Sequence, residues 1–127
     1  MIQIIVLYLQ QLMLYVNYHI KNSNANGAIV FLNDKYTQNS ILARCIQKAL
    51  NKIEFDGKVQ TPHEPQKGNY YLLAHSNLPG VIIETAFLSN ESDREKLQKE
   101  EFKEALAWAI ADGVDSYIDS YTRLAVK

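Results

Sequence analysis

The sequence predicts an α/β domain, a mostly parallel twisted sheet flanked by helices, and three observations predict it. Short apolar runs without strict alternation, AIVFL at 28–32 and VII at 81–83, have the character of strands covered on both faces. Two longer segments, Ile41 to Ile53 and Phe102 to Ile118, repeat their apolar residues at three and four, which is the helical period. The two kinds of segment alternate along the chain, as they do in layered α/β domains. At 127 residues, 47% hydrophobic and 21% charged, residues 1–127 are expected to make one domain with a core of ordinary size.

The opening MIQIIVLYLQQLMLYV has no Lys or Arg before its apolar run, and glutamines interrupt it at 3, 10 and 11. It is short for a membrane span and shows no small-residue cleavage pattern, so it reads as a structural helix or a strand pair. A helix starting at Met1 without a capping residue would suggest that something preceded it. Leu12, Leu14, Tyr15, Val16 and Tyr18 lead to His19 and are bounded by the polar loop KNSNANG, which marks a buried strand. Gly27 then releases the AIVFL strand. Asn39 and Ser40 are placed to cap the first helix, whose apolar positions run through Leu42, Cys45, Ile46, Ala49 and Leu50. From Glu54 to Gly68 the composition is polar, with Gly57, Pro62 and Pro65, and reads as a loop that could form a surface lobe near a site. Tyr70 to Ala74 is a short candidate strand. Pro79-Gly80 punctuates before the run Val81-Ile82-Ile83, which ends at Glu84. Ser92 and Glu95 have capping-box spacing, and a long amphipathic helix follows Lys99.

Thirteen basic against fourteen acidic side chains give a net charge of -1, so no summed field favours nucleic acid or an anionic membrane. Cys45 is the single cysteine and reads as a small, buried apolar residue of the helix. Chemistry concentrates at the strand ends. Glu84 and His19 each close an apolar run just before a polar stretch, and ligands of open α/β sheets bind beyond the carboxyl ends of strands. If the two strands are parallel, both residues project from one sheet edge. A histidine and a glutamate converging there suit metal-assisted hydrolysis, with the imidazole on the ion and the carboxylate taking a proton from water. The plainer alternative is a histidine bonded to backbone and a glutamate in a structural ion pair. His63 is expected to be an exposed loop residue and His75 a loop or turn hydrogen-bonder. Tyr70, Tyr71, Tyr117 and Tyr121 are expected in core or rim packing rather than in a sugar-stacking platform. The charged run from Asn90 to Lys103 reads as a solvated helical face. Ser76 and Ser89 lack His and acid partners at recognisable spacing.

The stretch YYLLAHSNLPGVIIETAFLSNESDREKLQKEEFKEALAWAIADGVDSYI, 70–118, resembles the C-terminal half of the zinc-dependent N-acetylmuramoyl-L-alanine amidases. The family pattern is a strand, a proline, a valine-rich run into Glu-Thr-Gly-Phe-Leu-Ser-Asn, and a helix close to Ala-Ile-Ala-Asp-Gly-Ile. ETAFLSN departs from it at Ala86, where glycine is usual. Upstream, VNYHIKNSNANGAIVFL and NSILARCIQKAL are similar to the family's Ser-Ile-His-Ala-Asn segment and its Ser-x-x-Leu-Ala helix. The resemblance implies a bacterial cell-wall hydrolase acting on peptidoglycan outside the cytoplasm, with Glu84 as catalytic carboxylate and His19 as a zinc ligand. It also implies two further ligands, a histidine in a Gly-His-Gly turn and a glutamate on the next helix, and neither occurs in this sequence. The chain is therefore expected to lack the family's first strand and helix and to be incomplete as a zinc site by itself. The alternative expectation is a degenerate, non-catalytic amidase-like domain that binds cell wall or a partner protein. Loss of the first elements would leave Ile4, Ile5, Leu7, Leu9, Leu12 and Leu14 uncovered, so a homodimer through the N-terminal segment is also expected.

Overall fold

The computed structural model describes the backbone of residues 5–9, 12–19 and 25–126, with side chains at Val16, 25–120, Thr122 and Arg123. The chain opens with two strands, β1 (Ile5–Leu9) and β2 (Leu12–His19), so the opening segment is a strand pair rather than a helix. β3 (Ile29–Leu32) leads to helix α1 (Thr37–Leu50), two-residue strands β4 (Glu54–Phe55) and β5 (Lys58–Val59), and β6 (Gln66–Lys67). Helix α2 (Tyr71–His75), strand β7 (Gly80–Phe87), helix α3 (Glu91–Leu97) and helix α4 (Glu100–Val126) complete the order.

The main sheet has the order β1-β2-β7-β3-β6. It is α/β, as expected, but mixed rather than mostly parallel. β2 and β7 are parallel, as are β3 and β6, whereas β1 against β2 and β3 against β7 are antiparallel. Only residues 10 and 11 separate β1 from β2, far too few for the crossover a parallel pair requires. β1 thereby pairs β2 within the chain, so β2 is covered without a second copy and β1 becomes the edge strand. The apolar side chains of that segment, Ile4, Ile5, Leu7, Leu9, Leu12 and Leu14, lie outside the described residues.

β7 lies between β2 and β3, and all eight of its residues are buried. Its alternation divides the core. Val81 and Ile83 join Ala28, Val30 and Leu32 against α1 and α4, where Leu42, Ile46, Phe102 and Ile110 are buried. Ile82 points the other way, into a small cluster with Leu73, against which Phe31, Tyr70 and Leu78 pack. The two helices of the larger core approach closely, because a Cβ added at Gly113 would stand 2.5 Å from the Ile46 Cα. Gln47, 2% exposed, ties α1 to β3: its Oε1 accepts from the Val30 N–H at 2.8 Å, and its Nε2 donates to the Ala28 carbonyl at 2.9 Å.

Several expectations change at element ends. α1 starts at Thr37 with Tyr36 before it and no side-chain cap. Asn39 is not available as a cap, because its Nδ2 donates to the Asn33 carbonyl at 2.9 Å and its Oδ1 accepts from Gly80 N–H at 2.9 Å. Ile53 is buried in the core but lies beyond the helix end. The 54–68 stretch is not a bare loop. Asp56 and Gly57, at φ 50 and 75, make the β4–β5 hairpin turn, and β6 extends the main sheet beside β3. Residues 71–75 form α2 rather than a strand, since β6 already occupies the position beside β3. The cap of α3 is Asn90, whose side chain accepts from Asp93 N–H at 3.0 Å, rather than Ser92. Among the described residues no helix is long and apolar enough to cross a membrane.

Candidate functional site

The valine and isoleucines of β7 carry the strand into the middle of the sheet, and Glu84 follows them as its fifth residue. It is not at a strand tip, as expected, but inside the strand and 8% exposed. The strand runs on through Thr85, Ala86 and Phe87 because β2 continues beside it as far as His19. Alternation puts Glu84 on the face of Ile82, away from the larger core.

On that face its neighbour is Tyr70. Burial pushes the Tyr70 phenol above its usual range, and the charge of Glu84 adds to the shift. Tyr70 is held by an edge-on contact with Phe31, with ring centroids 5.4 Å apart. Phe31 comes from β3 and Tyr70 immediately precedes α2, so three elements meet around the carboxylate.

His19 is the last residue of β2, and the parallel strands required for a shared edge are present. The register sets Asn17 against Glu84 and His19 against Phe87, with an irregularity between the two pairs. The backbone positions of His19 and Glu84 therefore sit on neighbouring strands, close together along the same direction. Where the His19 imidazole points lies outside the described residues.

The other histidines take structural places. His63 is half-buried rather than exposed: its Nε2 is 2.6 Å from the Asn26 carbonyl, and its backbone N–H donates to Asn51 Oδ1 at 3.1 Å. His75 ends α2 instead of lying in a loop, with Nδ1 3.0 Å from the Tyr71 carbonyl and its ring stacked on Tyr71 at 3.9 Å. Cys45 is half-buried against the larger core, and burial raises its thiol pKa. Tyr117 is a core residue as expected, whereas Tyr71 is 73% exposed and the Tyr121 side chain lies outside the described residues.

Among the described residues no three His, Cys, Asp or Glu side chains converge as a metal would require. A catalytic zinc takes three protein ligands and keeps a fourth position for water. The described part of the chain does not fit that ion by itself.

Sequence reasoning missed one buried carboxylate. Asp93 lies in the charged run read as a solvated face, yet it is 1% exposed. Its Oδ2 accepts from Gly27 N–H at 3.0 Å and Phe87 N–H at 2.8 Å, and its Oδ1 is 3.3 Å from Lys96 Nζ. One oxygen thus joins the end of β7 to the segment leading into β3. The signal was present in the sequence as an acidic side chain three positions after the cap Asn90.

A family model described as N-acetylmuramoyl-L-alanine amidase matches residues 9–116. The uncharacterized protein YqiI of Bacillus subtilis is 33% identical over 111 residues, covering 84% of this chain and 52% of that protein. The germination-specific N-acetylmuramoyl-L-alanine amidase of the same organism is 31% identical over 109 residues, or 82% of this chain and 44% of the relative. Among solved structures, the CwlD amidase of Clostridioides difficile, determined in complex with the GerS lipoprotein, superposes with a TM-score of 0.76 at 29% identity. That match covers 87% of this chain and 55% of CwlD. The chain spans about half the length of these three proteins.

Proposed function

The chain belongs to the N-acetylmuramoyl-L-alanine amidase family, and on that premise we propose that it supplies the proton-transferring part of a peptidoglycan amidase site. The bond cut joins N-acetylmuramic acid to the L-alanine of the stem peptide. The observation that carries the reading is Glu84, a nearly buried carboxylate on β7 beside Tyr70, one strand away from the position of His19. Glu84 takes a proton from the attacking water as the oxygen adds to the amide carbon, and delivers it to the alanine nitrogen as the C–N bond breaks. His19 is the one position of this chain that we assign to the zinc of the family. Among the described residues no ligand set is complete, and the sequence has no Gly-His-Gly turn, so on this reading the other ligands come from outside residues 1–127. The reaction places the protein outside the cytoplasm, where peptidoglycan lies.

The alternative, a non-catalytic domain that binds cell wall or a partner protein, is favoured by that same incomplete ligand set. One experiment separates the two. Zinc content after dialysis and stem-peptide release from purified peptidoglycan are measured for the chain alone. Both are then measured with a polypeptide that carries the family's Gly-His-Gly turn and helix glutamate. The expected result is substoichiometric zinc and no release alone, with release on completion that is lost in Glu84→Gln. Stoichiometric zinc with cleavage by the chain alone would overturn the incomplete site. A completed but inactive domain would favour the binding role, and undiminished cleavage by Glu84→Gln would remove Glu84 from the chemistry.

A further inference from the structure

Tyr71 and His75 stand one helical turn apart on α2, stacked with ring centroids 3.9 Å apart and planes 20° from parallel. His75 covers one face of the Tyr71 ring, and the residue as a whole is 73% exposed, an unusual condition for a large aromatic side chain. Leu72 beside it is 41% exposed. The platform is held rather than loose, because Leu73 of the same helix is buried against Ile82 of β7 and His75 Nδ1 lies 3.0 Å from the Tyr71 carbonyl.

The next row around α2, Tyr70 and Ala74, lines a cavity of about 280 Å³. Its other walls include Asn33, Asn69 and the Lys67–Asp34 pair, whose charged atoms are 2.8 Å apart. Tyr71 and His75 follow Tyr70 and Ala74 in the chain and do not themselves line the cavity; amide, carboxylate and ammonium groups next to an exposed aromatic stack are the combination that a pyranose ring uses. Its hydroxyls and acetamido group take the hydrogen bonds, and the flat face of C–H bonds lies on the ring. Tyr70 lines this cavity and packs against the cluster of Ile82, two residues before Glu84 on the same face of β7, so the cavity borders the candidate site.

We propose that the Tyr71–His75 stack and the adjoining cavity form a saccharide subsite for the N-acetylated sugar on the glycan side of the scissile amide. The inference rests on the amidase reading, in which one side of the bond beside Glu84 carries a sugar ring and the other a peptide. An exposed patch of two aromatic rings and one leucine is too small for a stable protein interface, which needs roughly 800 Å² from each partner. It is about the size of one sugar.

The test is direct binding of an N-acetylglucosamine tetramer to the full chain, measured by calorimetry and by amide-shift titration. A stem peptide beginning with L-alanine serves as the second probe. The tetramer is expected to bind, and Tyr71→Ala to weaken it about five- to tenfold, the loss of one aromatic contact. Tyr71→Trp should restore binding, and Trp108→Ala, which removes an exposed aromatic on the larger-core face, should leave it unchanged. No binding of the tetramer, equal binding by Tyr71→Ala, or loss of stem-peptide binding in its place would each overturn the proposal. Failure of the amidase reading looks different: the tetramer would bind through Tyr71, but a completed domain would release no stem peptide.

Discussion

The two faces of β7 differ in how they are closed. On one, Val81 and Ile83 meet α1 and α4 in a core that includes Phe102, Leu42, Ile46 and Leu50, all fully buried. On the other, Ile82 has Leu73 as its buried partner, and beyond it stand Glu84, Tyr70 and the exposed side of α2. The first face holds the domain together through apolar area. The second spends that opportunity on a carboxylate and an uncovered helix. If Glu84 acts as proposed, stability and chemistry are drawn from opposite sides of one strand, and substitutions should separate them.

The widest separation is expected between Phe102→Ala and Glu84→Gln. Removing the Phe102 ring should cost about 3–5 kcal/mol in denaturant unfolding, while Glu84→Gln should change stability by less than about 1 kcal/mol. In a completed domain the order reverses, with Glu84→Gln lowering amide cleavage about 10²- to 10⁴-fold. Comparable stability losses for the two would break the division. Next comes Asp93→Ala at the strand end, which leaves the buried N–H groups of Gly27 and Phe87 without their acceptor. A loss of about 2–3 kcal/mol is expected by the same measurement. Gly113→Ala sharpens the picture of the larger face, because its methyl would meet Ile46 backbone at 2.5 Å. The overpacking, about 1–3 kcal/mol, should outweigh the roughly 1 kcal/mol that alanine gains over glycine in a helix. A stabilised variant would mean that α1 and α4 are further apart than described.

The smallest effect lies on the Glu84 face. Tyr70 has a folded-state pKa above its unfolded value, so its neutral form is the one favoured by folding. Its contribution is fully present below about pH 10, the unfolded value, and is lost as the pH rises through the folded pKa. Unfolding curves at alkaline pH should therefore fall less steeply for Tyr70→Phe than for the parent chain. Identical slopes would mean that neither burial nor the charge of Glu84 holds the Tyr70 phenol neutral.

Much of this was legible in the residues, and the failures have identifiable causes. The helical period of 41–53 and 102–118 fixed α1 and α4 because each buries a stripe against the same large face. The VII run marked β7, but its end was misplaced at Glu84, since a charged residue inside a strand resembles a boundary until its neighbour strand is known. Tyr70 to Ala74 misled for the reverse reason: a five-residue apolar run carries no period long enough to tell helix from strand. The direction of β3 was equally unreadable, because apolar content does not encode whether a strand runs parallel to its neighbour. Gln47 and Asp93 look like surface residues in sequence, and only the backbone groups they meet explain their burial. Glu84 and His19 were chosen by type and position; the strands that carry them are parallel neighbours, but Glu84 lies inside its strand rather than at the tip.

The single oxygen of Asp93 that receives both Gly27 and Phe87 has a kinetic consequence. Two amide protons far apart in the chain share one acceptor, so when α3 lifts away both are released to solvent in the same event. Their exchange with deuterium should follow one opening rate, that of α3 leaving the strand end. The segment entering β3 and the segment leaving β7 then behave as a single breathing unit at the rim of the sheet, despite having no sequence in common.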